Sequence, residues 1–450
     1  MPSSNVDFES LSPEELIKRY KEAILIPWSN QKSMQPPFFI KQKGVYVTLP
    51  NGQELIDMKS QAFCANLGHA HEGMLKALTK AAPHTQVLAS EAVCVKRLEL
   101  ASKLILLANK EQNKNFSKVF FTLGGAEANE NAIKIARAVT VKHKIITRYR
   151  SYHGATLATI NFSGDYRRIP FDNAITGIVR FPDPYERGSG QKIDTVRLLQ
   201  EIIEIEGPQT IAAIMLEGIT GANGAFIPDN DYWPRIRNLC DKNNILLIDD
   251  EVFSGFYRTG KCFAVDRYNV APDMMSLSKG LTAGYAPLGA LLVSDKIAKF
   301  FDDETLWCGL TQYAPYLSCA ASLAALHFYE EDKIEENVFQ REAQIKEEFS
   351  MWSRKYDIIA ETRCIGLLAA IDFRKSKTDD EPLVPYRANP QEMQPAIFLQ
   401  NALKKYDISA LVRFSTLLLA PPLNITSDEL KKALASIEKA INELNSHTNK

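Results

Sequence analysis

Most lysines stand in water among other charged side chains, and Lys279 does not. It follows the run Met275-Ser276-Leu277-Ser278 and precedes Gly280, without the charged neighbours that usually flank an exposed lysine. A partly buried lysine has a depressed pKa and can form a Schiff base with an aldehyde. Asp250 closes a second apolar run, Ile245 to Ile248. A carboxylate emerging from a buried strand can hold a heterocyclic nitrogen protonated, which makes the ring an electron sink. Asp249 and Glu251 flank it, so the residues alone leave that role open by one position. Gly124-Gly125-Ala126 stands where a helix begins. Two glycines let the backbone approach a ligand closely, and free N–H groups at a helix start suit an anion such as a phosphate. Each of these features alone also fits a structural role: a solvated lysine, a helix-capping acid, a tight turn.

What brings them together is the alternation of elements around them. Val119-Phe120-Phe121 precedes a helix from Glu127 to Val139, and Lys144 to Thr147 is a strand. Helical spacing of Leu198, Leu199, Ile202 and Ile203 marks a helix over Val196 to Ile205. A strand over Ile211 to Leu216, a helix over Tyr232 to Lys242 and strands over Ile245 to Ile248 and Pro287 to Val293 follow. This pattern predicts a mostly parallel sheet with helices on both faces. In such sheets, ligands bind beyond the C-terminal ends of the strands. Four predicted strand ends carry polar or glycine clusters: Gly124-Gly125-Ala126, Tyr152-His153-Gly154, Glu217, and Asp249-Asp250-Glu251.

Upstream, Ser12-Pro13-Glu14-Glu15 starts a helix running to Ala23, and a hairpin turns at Pro50-Asn51-Gly52. Downstream of Leu323 the character changes to charged helices such as Glu330 to Phe349. A strand near Leu367 to Phe373 and a last helix over Ser427 to Leu444, capped by Ser427, complete the chain. The expected domains are an N-terminal arm and hairpin (1–60), a large α/β domain (61–322) and a smaller α+β domain (323–450), against which the arm packs.

The 450 residues carry 53 basic and 54 acidic side chains, a net charge of −1. That balance offers nothing to attract nucleic acid or an anionic membrane. Seven scattered cysteines, odd in number and never spaced Cys-x-x-Cys, argue for free thiols rather than a disulfide framework or a zinc site. No run approaches the ~20 apolar residues of a membrane span, and no signal or transit pattern opens the chain. The expectation is a soluble cytoplasmic protein without a metal. Two other motifs compete. Gly255 to Cys262 nearly matches a nucleotide phosphate loop, but Cys262 stands where Ser or Thr is needed. His69 and His71 lack a nearby acidic or cysteine partner at metal-ligand spacing.

Taken together, the chain resembles the class III aminotransferases, a pyridoxal-phosphate (PLP) family of fold type I, from about Pro27 to Ile441. The resemblance is carried by Asn66-Leu67-Gly68-His69, Phe121 to Asn129, Tyr152-His153-Gly154, Asp250-Glu251-Val252, Ser278-Lys279-Gly280, Gly309-Leu310-Thr311 and Ala420-Pro421-Pro422-Leu423. It implies that Lys279 forms the Schiff base and shuttles the proton, and that Asp250 partners the pyridine nitrogen. Val252 and Tyr152 would sandwich the ring. Gly124, Gly125 and Ala126 would face the phosphate, joined by Thr311 from a second subunit. His153 and Glu217 would complete the cofactor site. A homodimer or dimer of dimers is implied.

Departures bear on the substrate. Ala222 stands where ornithine and 4-aminobutyrate enzymes carry a gating glutamate, and Leu418 replaces their strand arginine. Arg413 instead resembles the mobile carboxylate-binding arginine of ω-amine and β-alanine or taurine enzymes, and Trp28 an aromatic lining their pocket. Gly124 stands where Ser or Thr is common. The implied activity moves an amino group from an ω-amino acid or amine to a 2-oxo acid, with pyruvate favoured. Related PLP reactions (aminomutase, racemase, decarboxylation) and nucleotide binding are the alternatives.

Overall fold

In the computed structural model the described residues are 7–111, 114–172, 175–184 and 193–448, apart from the side chains of 379 and 380. At their centre lies a seven-stranded sheet: β1 (Phe116–Thr122), β2 (Lys144–Arg148), β3 (Ile178–Phe181), β4 (Ile211–Glu217), β5 (Leu246–Asp250), β6 (Met274–Leu277) and β7 (Gly289–Ser294), in the order β1-β7-β6-β5-β4-β2-β3. The strands from β6 to β3 run parallel. β7 is antiparallel to both β1 and β6, a direction the sequence pattern does not encode. Because β7 reverses between them, β1 and β6 still finish at one edge of the sheet.

Both faces of the sheet are covered, so its strands read as continuous apolar runs. Along β4, Ile214 and Leu216 enter one core, while Ala213 and Met215 enter the other. On β5, Leu247 joins the first core and Leu246 and Ile248 the second. This two-residue alternation decides where the neighbouring acids point.

The arm helix α1 (Pro13–Ala23) begins as expected: Ser12 accepts from the Glu15 N–H, and Glu15 reaches back to the Ser12 N–H. The hairpin strands Tyr46–Thr48 and Glu54–Asp57 gain Lys41–Lys43 on one side and the parallel strand Ile408–Ser409 on the other. A further antiparallel sheet unites Ile359–Ile365, Leu368–Ser376, Thr416–Leu419 and Leu411–Arg413.

Two expectations need correction. The charged helix starting at Glu330 is two helices, Tyr316–Glu331 and Ile334–Lys355, broken where Lys333 adopts φ +50°. The last helix spans Ser427–Thr448, but Thr426 caps it: its Oγ1 accepts from the Glu429 N–H, and its own N–H donates to Glu429.

The segment resembling a phosphate loop is packed inside the protein. Arg258 is fully buried and donates to the carbonyls of Leu367 and Pro421 at 2.9 and 2.6 Å, and to Asn66 Oδ1 at 3.1 Å. It thereby fastens three distant stretches of chain, and burial pushes its pKa down to about 10. Gly366 meets this segment so closely that a Cβ would lie 2.4 Å from the Thr259 carbonyl carbon. His69 pairs with buried Asp57 at 2.9 Å, and His71 caps the helix Glu72–Ala81. No helix among the described residues is long and apolar enough to cross a membrane. Replacing Arg258 by Met leaves buried carbonyls without donors. Urea denaturation of the apoprotein should show a loss on the order of 3 kcal/mol, whereas a loss within experimental error would deny this residue its fastening role.

Candidate active site

Asp250 is the last residue of β5 and is 3% exposed. An isolated carboxylate at that depth would be costly, and three donors surround this one. Asn129 Nδ2 donates to Oδ2 at 2.7 Å, His153 Nδ1 lies 2.7 Å from the same oxygen, and the Val252 N–H donates to Oδ1 at 3.0 Å. His153 is held from its other nitrogen by Thr147 Oγ1 at 3.2 Å, which aims Nδ1 at the carboxylate. Asn129 also donates to the His153 carbonyl at 2.8 Å, closing the network.

The structure settles which of the neighbouring acids faces this network. Asp250 follows the same strand face as Ile248, toward the helix α2 (Gly125–Thr140), which carries Asn129. Asp249 turns to the opposite side, where it is fully buried and neither oxygen has a hydrogen-bond partner. Burial and the neighbouring Glu251 push Asp249 well above the ordinary carboxylate range, against the pull of Lys114. Burial likewise raises Glu251 to about 7.

Glu217 lies directly across from Asp250 on β4. Its two oxygens accept from the backbone N–H groups of Tyr152 at 3.0 Å and Gly221 at 2.9 Å, fixing the turn that presents Tyr152. Burial, and secondarily Asp250, raise its pKa, while His153 opposes. On the other side, Asp250 pairs in register with Ser276 of β6, three residues before Lys279. Lys279 is half-buried, with Nζ 4.7 Å from the centroid of the Phe253 ring. Burial lowers its pKa, and the charges of Asp250 and Glu217 partly restore it. Its backbone sits at φ +40°, an uncommon conformation for a residue with a side chain. Neighbouring bonds hold it there: Ser278 Oγ donates to the Leu288 carbonyl at 2.8 Å, and Tyr329 OH to the Gly280 carbonyl at 2.6 Å.

The glycines divide in their reasons. A Cβ on Gly125 would fall 2.6 Å from Val252 Cγ1, so Val252 packs against bare backbone at the start of α2. A Cβ on Gly124 would meet nothing within 4 Å, so close approach does not explain that glycine. No side chain caps the helix, which leaves its first N–H groups open to an anion.

Beyond Tyr152 the site opens into a polar wall. Trp28 meets Tyr152 edge-to-face at 6.3 Å, and the Arg167 guanidinium lies 3.9 Å from the Tyr152 centroid and 4.8 Å from that of Trp28. Arg167 binds Asp165 through two nitrogens, at 2.9 and 3.2 Å, and Arg413 donates to the same carboxylate at 2.6 Å. Thr311 stands in an exposed loop and is not among the side chains gathered around Asp250. The fold therefore draws together Lys279, Asp250, Tyr152, His153, Glu217, Val252 and the start of α2, with Trp28 and Arg413 beside them. The sequence gives no role to Asn129, which closes the Phe121 to Asn129 segment, nor to Asp165 and Arg167. A polar Asn among the apolar positions Ala128, Ala132, Ile133 and Ala136 of a buried helix face was the available signal for the first.

A half-buried amine, a buried carboxylate and an uncapped helix start stand along one edge of the sheet. The family profile for "Aminotransferase class-III" matches residues 28–441. A probable gamma-aminobutyrate transaminase 4 from Oryza sativa subsp. japonica is 31% identical, covering 99% of this chain and 97% of its own. The taurine–pyruvate aminotransferase of Bilophila wadsworthia is 28% identical over 95% of this chain and 96% of its own. The crystal structure of taurine:2-oxoglutarate aminotransferase from Bifidobacterium kashiwanohense, in complex with PLP and glutamate, superposes with a TM-score of 0.92 at 35% identity, over 97% of this chain and 99% of that one. The fold is that of a PLP enzyme of fold type I. The chain belongs to the class III aminotransferases and is a PLP-dependent transaminase.

Two outcomes follow from the packing. Gly125→Ala forces Val252 out of place and should weaken PLP binding about tenfold or more in titrations of the apoprotein. Gly124→Ser, entering open space, should bind PLP at least as tightly as the parent. For Asp249, a folded pKa above the ordinary 3.8 means that its contribution is greatest at low pH and is lost as pH rises. Asp249→Asn should therefore lose less stability between pH 5 and pH 8 than the parent, as urea midpoints at the two pH values would show.

Proposed function

We propose that the transaminase takes its amino group from an ω-amino acid or amine and delivers it to a 2-oxo acid, with pyruvate the favoured acceptor, in two half-reactions sharing one site. The observation that carries this reading is the cationic wall beside Tyr152. Arg413 reaches the pocket from the strand Leu411–Arg413, while Leu418 fills the place from which other subgroups extend an arginine. The names of two relatives support a taurine-like donor, while one names pyruvate and the other 2-oxoglutarate as acceptor.

Bound here, PLP supplies an aldehyde that condenses with amines and a cationic ring that accepts the electron pair left when the substrate carbon loses its proton. Lys279 would tether the cofactor, and its amine would take up and return the proton of the substrate carbon. Its lowered pKa suits both roles, because the neutral amine is the nucleophile and the base. Asp250, its carboxylate fixed by His153 and Asn129, would hold the ring nitrogen protonated. Val252 and Tyr152 would cover the ring, with Glu217 positioning Tyr152. Gly125 and Ala126, beside Gly124, would offer backbone N–H groups to the phosphate.

Thr311 of the partner subunit completes the phosphate site in a homodimer, which serves as the unit of any dimer of dimers. Support comes from apolar surface that one chain leaves uncovered. α1 buries none of its residues, and a cavity of about 1270 Å³ between the arm and its helix is lined by Leu16, Ile17, Tyr20, Ile24 and Phe38. Val87 and Trp307 are 96% and 84% exposed.

The test is a donor panel applied to the PLP-loaded protein with no acceptor present. A productive donor should change the cofactor's visible absorption stoichiometrically, and pyruvate should restore it while alanine forms. Absence of any change with taurine, β-alanine, 4-aminobutyrate and simple amines would defeat the reading. Restoration by 2-oxoglutarate but not pyruvate would replace the acceptor.

A further inference from the structure

Arg97 is a buried cation whose hydrogen bonds all run to main-chain oxygens. It lies on the helix Val95–Ala108 and is 9% exposed. Nη1 donates to the carbonyls of Ala89, Ala92 and Ser90 at 2.9, 3.2 and 3.4 Å, and Nη2 to that of Leu88 at 3.2 Å. Nε donates to the Ala314 carbonyl at 3.2 Å. A guanidinium withdrawn from water is tenable only when its donors are satisfied. Here the stretch 88–92 and a second loop, more than 200 positions later, turn carbonyls inward to do so.

That second loop is the one that carries Thr311. Leu310 and Tyr313 pack against the core that also holds Met215, while Thr311 and Gln312 stand exposed between them. The Tyr313 ring meets Phe120 and Phe121 of β1 edge-to-face at 5.4 and 6.0 Å, and Arg97 Cζ lies 5.5 Å from its centroid. Ala314 follows at φ +43°, a left-handed conformation that favours glycine, and its buried carbonyl accepts from both Arg97 Nε and Cys319 Sγ. A strained residue held by several bonds marks a loop whose shape is imposed by its surroundings. The chain's own site makes no use of that shape, because Thr311 is not among the side chains around Asp250. The surface in front of Arg97 is uncovered apolar ground: Val93, beside the carbonyls that it binds, is 90% exposed.

We propose that Arg97 is a positioning residue for cofactor binding in the opposite subunit: backed by Tyr313, it presets the loop from which Thr311 reaches the phosphate across the dimer. A preset loop spares the binding step the cost of ordering it. The inference rests on the homodimer and the Thr311 contact proposed above. It adds the residue that fixes this contact and the subunit on which that residue acts. Arg97 itself touches neither cofactor nor substrate.

The experiment titrates full-length mixed dimers with PLP. Differently tagged chains are combined, one of them carrying Lys279→Ala, so that only the other can give the absorption of lysine-linked PLP. In the first arrangement Arg97→Met is placed in the chain that keeps Lys279. The reporting site then receives Thr311 from an unaltered loop, and its PLP affinity should stay within about threefold of the mixed dimer without Arg97→Met. In the second, Arg97→Met and Lys279→Ala share one chain. The reporting site now receives Thr311 from the altered loop and should bind PLP about tenfold more weakly. Tyr313→Leu should give the same crossed pattern with a smaller shift, and it carries the test if Arg97→Met chains do not assemble. A loss in the first arrangement alone, an equal loss in both, or none in either would overturn the proposal. Thr311→Ala in both chains tests the underlying reading separately. Unchanged PLP affinity there, or a monomeric parent, defeats the Thr311 contact itself, whereas a loss there but none with Arg97→Met defeats only the role of Arg97.

Discussion

A carboxylate buried at the end of a central strand is the constraint around which this protein is arranged. Asp250 is removed from water on every side, and its position is tenable because Asn129, His153 and the Val252 backbone all donate to it. Each donor comes from a different part of the chain. Asn129 comes from the helix after β1, His153 from the loop after β2, and Val252 from the turn after β5 itself. Keeping those three in register with one carboxylate requires the parallel strands to end at a common edge, and the same edge delivers Glu217 and Lys279. The site is therefore a consequence of sheet direction as much as of residue type.

Strand alternation gives adjacent acids different surroundings. Asp250 faces donors, while Asp249, one residue earlier, faces the other core with none. Burial raises the pKa of both Asp249 and Glu251 and so favours their protonated forms. Their stabilising state is the neutral one, and it erodes as the pH climbs through about 7, where Glu251 ionises in place.

Much of this was legible from residues in order. The apolar runs that became β1, β2, β4 and β5 are long enough to read, and residues at their ends marked one edge of a parallel sheet. The resemblance then chose Asp250 from three consecutive acids, a choice that periodicity alone did not make. Less legible were features fixed by tertiary packing. The reversed direction of β7 leaves no trace in its composition, since a strand buried on both faces reads alike either way. Gly124 and Gly125 look equivalent in sequence, yet only Gly125 meets Val252. Asp165 and Arg167 lie two residues apart in an ordinary-looking polar turn, and their meaning comes from Tyr152 and Arg413, the latter more than 240 positions away. The helix break at Lys333 also lies in a charged stretch without proline or glycine, where local propensity gives no warning.

In the proposed function a negative charge at position 250 keeps the bound heterocycle cationic. The most direct measurement is nitrogen-15 NMR of protein reconstituted with PLP labelled at the ring nitrogen. The expected resonance is that of a protonated pyridine nitrogen, unchanged between pH 6 and pH 9, and moving to the neutral position in Asp250→Asn. A neutral nitrogen in the parent protein, or a protonated one that ignores the substitution, would contradict the role given to Asp250 and with it the organisation of the site.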